Sequence, residues 1–128
     1  MSAASTTLES LYAAFEGGDI PAAVALMDPE IEWVEAAGHP YGGSYVGPDA
    51  VLGNVFARIG AEWDDFKAIP DYVVGDEERA VGVGTYSGTN KASGRSFEAR
   101  FAHAVLVRDG RIVHFEQVAD TALITSAL

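Results

Sequence analysis

Glu35 follows Trp33 by two residues and precedes His39 by four, in the stretch IEWVEAAGHPYGGSYVG that runs from Ile31 to Gly47. A carboxylate that shares a strand face with a tryptophan, next to further ring side chains, can form the wall of an apolar pocket and do proton-transfer work there. Burial disfavours the charged form of a carboxylate and raises its pKa toward neutrality, where general-base and general-acid work is most efficient. In an extended chain Ile31, Trp33 and Glu35 point to one side, and Glu32 and Val34 to the other. The glycine-rich turn that follows carries His39, Tyr41 and Tyr45, three more rings suited to the rim of a cavity. His39 titrates within reach of pH 7 and suits acid–base work; as a solvated loop residue it would do none. Glu35 likewise has two readings, a pocket base or the solvated end of an edge strand.

Other chemistries find no support. The chain has no cysteine, so disulfides and thiolate metal sites are absent, and His39, His103 and His114 lack metal-ligand spacing. Gly82-Val83-Gly84 is followed by no helix, unlike a dinucleotide-binding turn, and no serine sits in a nucleophile elbow. No metal and no cofactor are therefore expected. The formal net charge of −11, from 19 acidic and 8 basic residues, repels phosphate backbones and anionic lipid, so neither nucleic acid nor membrane is an expected partner. The opening MSAASTTLES has neither the basic start nor the apolar run of a signal peptide, and no segment approaches the ~20 apolar residues of a membrane span. The default expectation is a cytoplasmic protein.

The elements that position these residues are legible from periodicity. At 128 residues, 48% hydrophobic and 21% charged, the chain fits one globular domain, residues 1–128. Leu8, Leu11, Tyr12 and Phe15 form one stripe of a helix over Thr6–Phe15, stopped by Gly17-Gly18. Asp19 caps a second helix over Ile20–Met27, with Pro21 in its first turn. After the strand and the glycine-rich turn, Gly47-Pro48-Asp49 opens a third helix whose buried stripe is Val51, Leu52, Val55, Phe56 and Ile59, with a stop at Gly60. Alternation then predicts strands over Asp65–Val74, Ala80–Ser87, Ser96–Val107 and Arg111–Val118, with Pro70 marking an edge or a bulge. Asp120 caps a short last helix. Three helices with one strand among them, followed by an antiparallel meander, make an α+β fold with helices covering one sheet face.

The segments LYAAFEGGDIPAAVALMDPEIEW, HPYGGSYVGPDAV and FEARFAHAVLVRDGRIVHFEQVADTAL, in that order, resemble the SnoaL-like group of the nuclear transport factor 2-like superfamily. That superfamily includes ketosteroid isomerase, polyketide cyclases, dehydratases and limonene epoxide hydrolase. The resemblance implies a cone-shaped barrel, a strongly curved and mostly antiparallel sheet wrapped around three N-terminal helices with an apolar cavity open at one end. It also implies a homodimer paired through the outer sheet face, where Phe97, Phe101, His103 and Val105 would lie.

Residue by residue, LYAAFEGGD is similar to the part of ketosteroid isomerase that holds its phenolic oxyanion donor, which falls on Tyr12. Counting from Ala25-Leu26, the general-base aspartate falls on Glu35, and the neutral acid that completes the oxyanion hole falls on Ala102, a departure. With Ala102 inward, Glu98, Arg100, Ala104 and Leu106 share its face and His103 points outward. Arg100 would neutralise a substrate oxygen or pair with Glu98 or Glu35. Phe115 and Gln117 point inward from the last strand, and Gln117 would orient a ligand carbonyl or satisfy Tyr12 or Glu35. Phe56 and Ile59 line the cavity wall or simply pack the core, and Tyr12 has the same alternative.

The leading expectation is a cofactor-independent isomerase, cyclase or dehydratase acting on a small apolar carbonyl-bearing molecule, with Glu35 as base and Tyr12 holding the oxygen. A non-catalytic module that binds a hydrophobic ligand or serves dimerisation is the alternative. Epoxide hydrolysis, through an acid–arginine–acid cluster at Arg100 and Glu98, is a third.

Overall fold

A computed structural model describes residues 2–128. Helix α1, Ala3–Glu16, begins at Ser2, whose hydroxyl accepts the Ser5 N–H, and buries Leu8, Leu11 and Tyr12 along one stripe. Gly18, at φ 64°, turns the chain into α2, Ile20–Ala25, capped by Asp19 accepting the Ala22 N–H at 3.1 Å. Strand β1, Met27–Glu35, starts earlier than its alternation signals. The glycine-rich turn is shorter than expected, because Gly43–Val46 forms strand β2 against β1, with Trp33 opposite Tyr45 and Glu35 opposite Gly43.

The third helical segment runs through Gly60 instead of stopping there. It consists of α3, Pro48–Val51, a π-helical turn, Leu52–Phe56, and α4, Ala57–Glu62. In the wide turn the Ala57 N–H reaches back to the Leu52 carbonyl. The extra residue turns Leu52 to solvent and keeps Val55 buried. The meander follows as β3, Trp63–Gly75, β4, Arg79–Asn90, β5, Ser96–Arg108, and β6, Arg111–Ala119, and the chain closes with α5, Thr121–Thr125, capped by Asp120. Among the described residues no helix is long and apolar enough to cross a membrane.

The six strands form one sheet in the order β2-β1-β6-β5-β4-β3. This corrects the expected cone-shaped barrel. The sheet is open, with β2 and β3 as free edges, and it is mixed, because β1 runs parallel to β6 while every other neighbour is antiparallel. It wraps the helices as a layer without strong curvature or closure. The short β2 and the Pro70-bearing β3, whose register slips between Pro70 and Tyr72, end the sheet by offering poor templates for a further strand.

A second correction concerns the phase of β5. Phe97, Ala99, Phe101, His103, Val105 and Val107 face the helices and are buried, whereas Arg100, Ala102, Ala104 and Leu106 lie on the other face. Reading the face from the resemblance put it one residue out, and a one-residue slip moves every side chain across the sheet. Burial of two phenylalanine rings and two valines decides the matter energetically, since each contributes about 1.5–3 kcal/mol.

His103 thereby comes under α1, where Tyr12 reaches its ring. That contact needs Gly82 opposite His103 on β4, because a Cβ at Gly82 would sit 2.1 Å from the Tyr12 hydroxyl. Gly82→Ala is expected to push Tyr12 off His103 and lower stability by about 1–3 kcal/mol, the usual cost of overpacking. An unchanged urea midpoint would show that the ring moves freely.

Candidate active site

Glu35 ends β1 with its side chain between the sheet and the helices, only 4% exposed. Its Oε2 accepts the Trp33 indole N–H at 3.2 Å. Trp33 is fixed in turn by stacking on Phe115, with ring centroids 3.7 Å apart, and by the edge contact with Phe56 at 5.4 Å. Burial raises the Glu35 pKa to about 7, and the single indole hydrogen bond only partly opposes it.

His39 Nδ1 approaches Glu35 Oε1 at 4.0 Å, yet the two are not an ion pair. That nitrogen accepts the Tyr41 backbone N–H at 3.0 Å, and burial pulls the imidazole pKa down to about 4, so the ring is neutral at pH 7. Among the described residues, then, Glu35 is a buried carboxyl with no cation beside it.

These groups open onto a cavity of about 650 Å³. Trp33, Glu35, His39, Phe56, Ile59, Phe115 and Gln117 line it. Phe15, Trp63 and Phe66 extend the aromatic wall. Five other expected residues, Tyr12, Tyr41, Tyr45, Arg100 and Ala102, do not line it. Tyr41 is buried in the turn, donating to Glu62 at 2.9 Å and accepting from the Trp63 indole at 3.0 Å, and the Tyr45 hydroxyl donates to the Tyr41 carbonyl at 2.7 Å. Both tyrosines brace the turn that holds His39. Arg100 is on the outer face, paired with Asp71 at 2.6 Å and with the Thr85 hydroxyl at 2.9 Å, and Ala102 shares that face. The acid–arginine–acid cluster needed for epoxide hydrolysis is thus not assembled, since β5 turns Arg100 away from the cavity.

The cavity wall contains two residues that the sequence did not single out for it. Tyr86, on β4, and His103, on β5, line the cavity beside Gln117. The Tyr86 hydroxyl bonds to His103 Nε2, and Gln117 Nε2 donates to the same hydroxyl at 3.0 Å. Gln117 Oε1 accepts the Ala36 N–H at 3.0 Å, which fixes the orientation of the amide. On the far side of the imidazole, Nδ1 meets the Tyr12 hydroxyl at 2.9 Å. Burial holds the His103 pKa near 3 and raises that of Tyr86, so both are neutral. Tyr12 supports the site through His103 without lining the cavity. The signal for His103 was present in the alternation Phe97, Phe101, His103, Val105, which is the ring-bearing phase of the strand.

An open mixed sheet carrying a helical layer, with a buried carboxyl in the wall of an aromatic cavity, agrees with the match of residues 8–115 to the model of the SnoaL-like domain. The chain belongs to the SnoaL-like family. An NTF2-like protein of Burkholderia thailandensis is 41% identical and superposes with a TM-score of 0.94, covering 99% of this chain and 97% of its own. An NTF2-like protein of unknown function from Burkholderia pseudomallei is 29% identical, with a TM-score of 0.90 over 99% of this chain and 98% of its own. A putative polyketide cyclase of Pseudomonas putida, 17% identical, has the same fold with a TM-score of 0.85, covering all of this chain and 98% of its own. No curated protein matches the chain. In this SnoaL-like domain the cavity wall is mainly apolar and aromatic and carries a few polar groups, which suits a small apolar molecule.

Proposed function

We propose that the protein is a cofactor-independent acid–base enzyme acting on a small apolar carbonyl compound, with Glu35 as general base. One observation carries this reading: a buried carboxyl, unpaired with any cation and titrating near neutrality, faces an aromatic-walled cavity. Its ionised form removes a proton from the carbon next to the ligand carbonyl, and the C–H electrons move to the oxygen to give an enolate. The protonated Glu35 then returns a proton to carbon. Return to a different carbon is isomerisation, and capture of a second carbonyl by the enolate is aldol-type cyclisation. Neutral His39 braces the turn beside the base and leaves its charge uncompensated, which keeps the carboxylate basic.

The test is deuterium exchange from heavy water into 1-indanone, a planar ketone with enolisable hydrogens, catalysed by wild type and by Glu35→Gln. Exchange above buffer that depends on Glu35 supports the enzyme. Binding without exchange would make the protein a hydrophobic-ligand module.

Association into a homodimer through the outer sheet face is part of the same proposal, with a changed patch. Phe97, Phe101, His103 and Val105 are in the core, and the outer face instead presents Tyr72, Val74, Val81 and Val118, exposed by 36–58%. Paired register brings Val81 beside Ala104, and Val118 beside Ala102. Val118→Glu is expected to convert a dimer to monomers in light scattering. A wild type that is monomeric at micromolar concentration would end the idea.

A further inference from the structure

We propose that Tyr86 is the hydrogen-bond donor to the ligand oxygen, and that His103, locked by Tyr12, is the positioning residue that leaves the Tyr86 hydrogen free for that use. The assignment rests on the carbonyl-ligand reading for its purpose, but its geometry follows from counting hydrogens along one buried chain of contacts.

The chain runs Ala36 N–H, Gln117, Tyr86, His103, Tyr12. Its first two links have fixed direction. The Ala36 amide can only donate, so Gln117 Oε1 accepts, and Gln117 Nε2 must donate to the Tyr86 oxygen. The remaining links depend on the tautomer of neutral His103, which carries one hydrogen on its two ring nitrogens.

With the hydrogen on Nδ1, His103 donates to the Tyr12 oxygen and Tyr86 must donate to Nε2. The Tyr12 hydroxyl hydrogen is then stranded. Tyr12 is 4% exposed, does not line the cavity, and among the described residues its hydroxyl has no hydrogen-bond partner other than His103. A buried donor without an acceptor is strongly disfavoured.

With the hydrogen on Nε2, the Tyr12 hydrogen finds its acceptor and the unused hydrogen moves to Tyr86. Tyr12 donates to Nδ1, Nε2–H donates to the Tyr86 oxygen, and that oxygen takes a second hydrogen bond from Gln117. Only the Tyr86 hydroxyl hydrogen lacks a protein acceptor, and Tyr86 is the tyrosine of the pair that lines the cavity. Two hydrogen bonds accepted by its oxygen also polarise the O–H, which strengthens it as a donor. The cavity wall therefore offers one base, Glu35, and one aimed donor, Tyr86, to the two ends of an enolising H–C–C=O unit.

Nitrogen-15 NMR of histidine-labelled wild type, without ligand, reads the tautomer directly. His103 is expected with a protonated Nε2 and a bare Nδ1. A proton on Nδ1 would mean that Tyr86 spends its hydrogen on His103, and overturns the assignment. The second readout is the infrared carbonyl stretch of bound 1-indanone, expected to shift to lower frequency in wild type. In Tyr86→Phe that shift should vanish and affinity fall by about tenfold, the worth of a good hydrogen bond, while affinity for indane, which lacks the oxygen, should hold. An unchanged shift and affinity for 1-indanone in Tyr86→Phe would also overturn it. Failure of Glu35→Gln to reduce exchange would sink the base and leave both of these readouts standing, so the two ideas fail separately.

Discussion

Glu35→Gln is expected to lower deuterium exchange into 1-indanone by about 10²–10⁴-fold, the range that a positioned general base contributes. The amide has nearly the same shape and its oxygen can still accept the Trp33 indole N–H, so the cavity wall stays in place. Only the basic lone pair is lost. In wild type the exchange rate should rise with pH and level off above about 7, where the carboxyl ionises. Stability should move the other way. Folded Glu35 keeps its proton up to about pH 7, whereas the unfolded chain releases it near 4.5, so wild type loses stability as pH climbs through that window. The variant carries no such penalty. It should match wild type near pH 4 and exceed it at pH 8 by up to about 3 kcal/mol, as the shift converts at 1.36 kcal/mol per pH unit. Urea unfolding at the two pH values checks this. A substitution that stabilises the fold while removing exchange marks a group kept for its chemistry. Equal stability at both pH values would mean that Glu35 reaches water freely.

The parts of the fold set by local periodicity were legible in the sequence, and so was half of the site. The stripe Leu8, Leu11, Tyr12 announced α1, the Pro70 signal marked β3 as an edge or a bulge, and Trp33 with Glu35 offered a cavity wall as one of two readings. What failed depended on pairing between distant segments. Nothing local in Met27–Glu35 tells that β1 lies parallel to β6, and nothing in Gly43–Val46, a short glycine-led strand, distinguishes it from the turn it follows. Sheet closure is likewise a property of the edges, which is why an open sheet stands where a barrel was expected. The phase of β5 was open to a better reading, because the two phenylalanines alternate with Arg100 and Glu98, and rings bury at lower cost than charges. Taking that phase would have exchanged Ala102 for His103 and Arg100 for Phe101. Tyr86 alternates with glycines on β4 and carries no signal of its own; only the meeting of three strands and α1 at His103 shows its use.

That meeting point also supports the fold, and His103→Leu should expose how much. Leucine fills much of the space but offers neither donor nor acceptor. The Tyr12 hydroxyl then loses its partner, and Tyr86 keeps only the Gln117 hydrogen bond. Stranding one buried hydroxyl and weakening another is expected to cost about 2–5 kcal/mol, at about 1–3 kcal/mol for each unsatisfied group. The decisive comparison adds Tyr12→Phe. In wild type it breaks a hydrogen bond and should destabilise. Combined with His103→Leu it removes a stranded hydroxyl and should restore about 1–2 kcal/mol, a reversal of sign that independent residues cannot produce. Acid provides a further check. His103 is held to about 3 and His39 to about 4 in the folded protein, while both protonate near 6.5 when unfolded. Their burial therefore drains stability as pH falls below 6.5. Between 6.5 and 4.5 the Glu35 carboxyl acts in the opposite sense and offsets part of that loss. Below 4.5 the offset ends, and stability should fall toward pH 3 more steeply in wild type than in His103→Leu. Parallel curves would show that His103 takes up its proton in the folded state, and would remove the neutral ring on which the Tyr12–His103–Tyr86 chain depends.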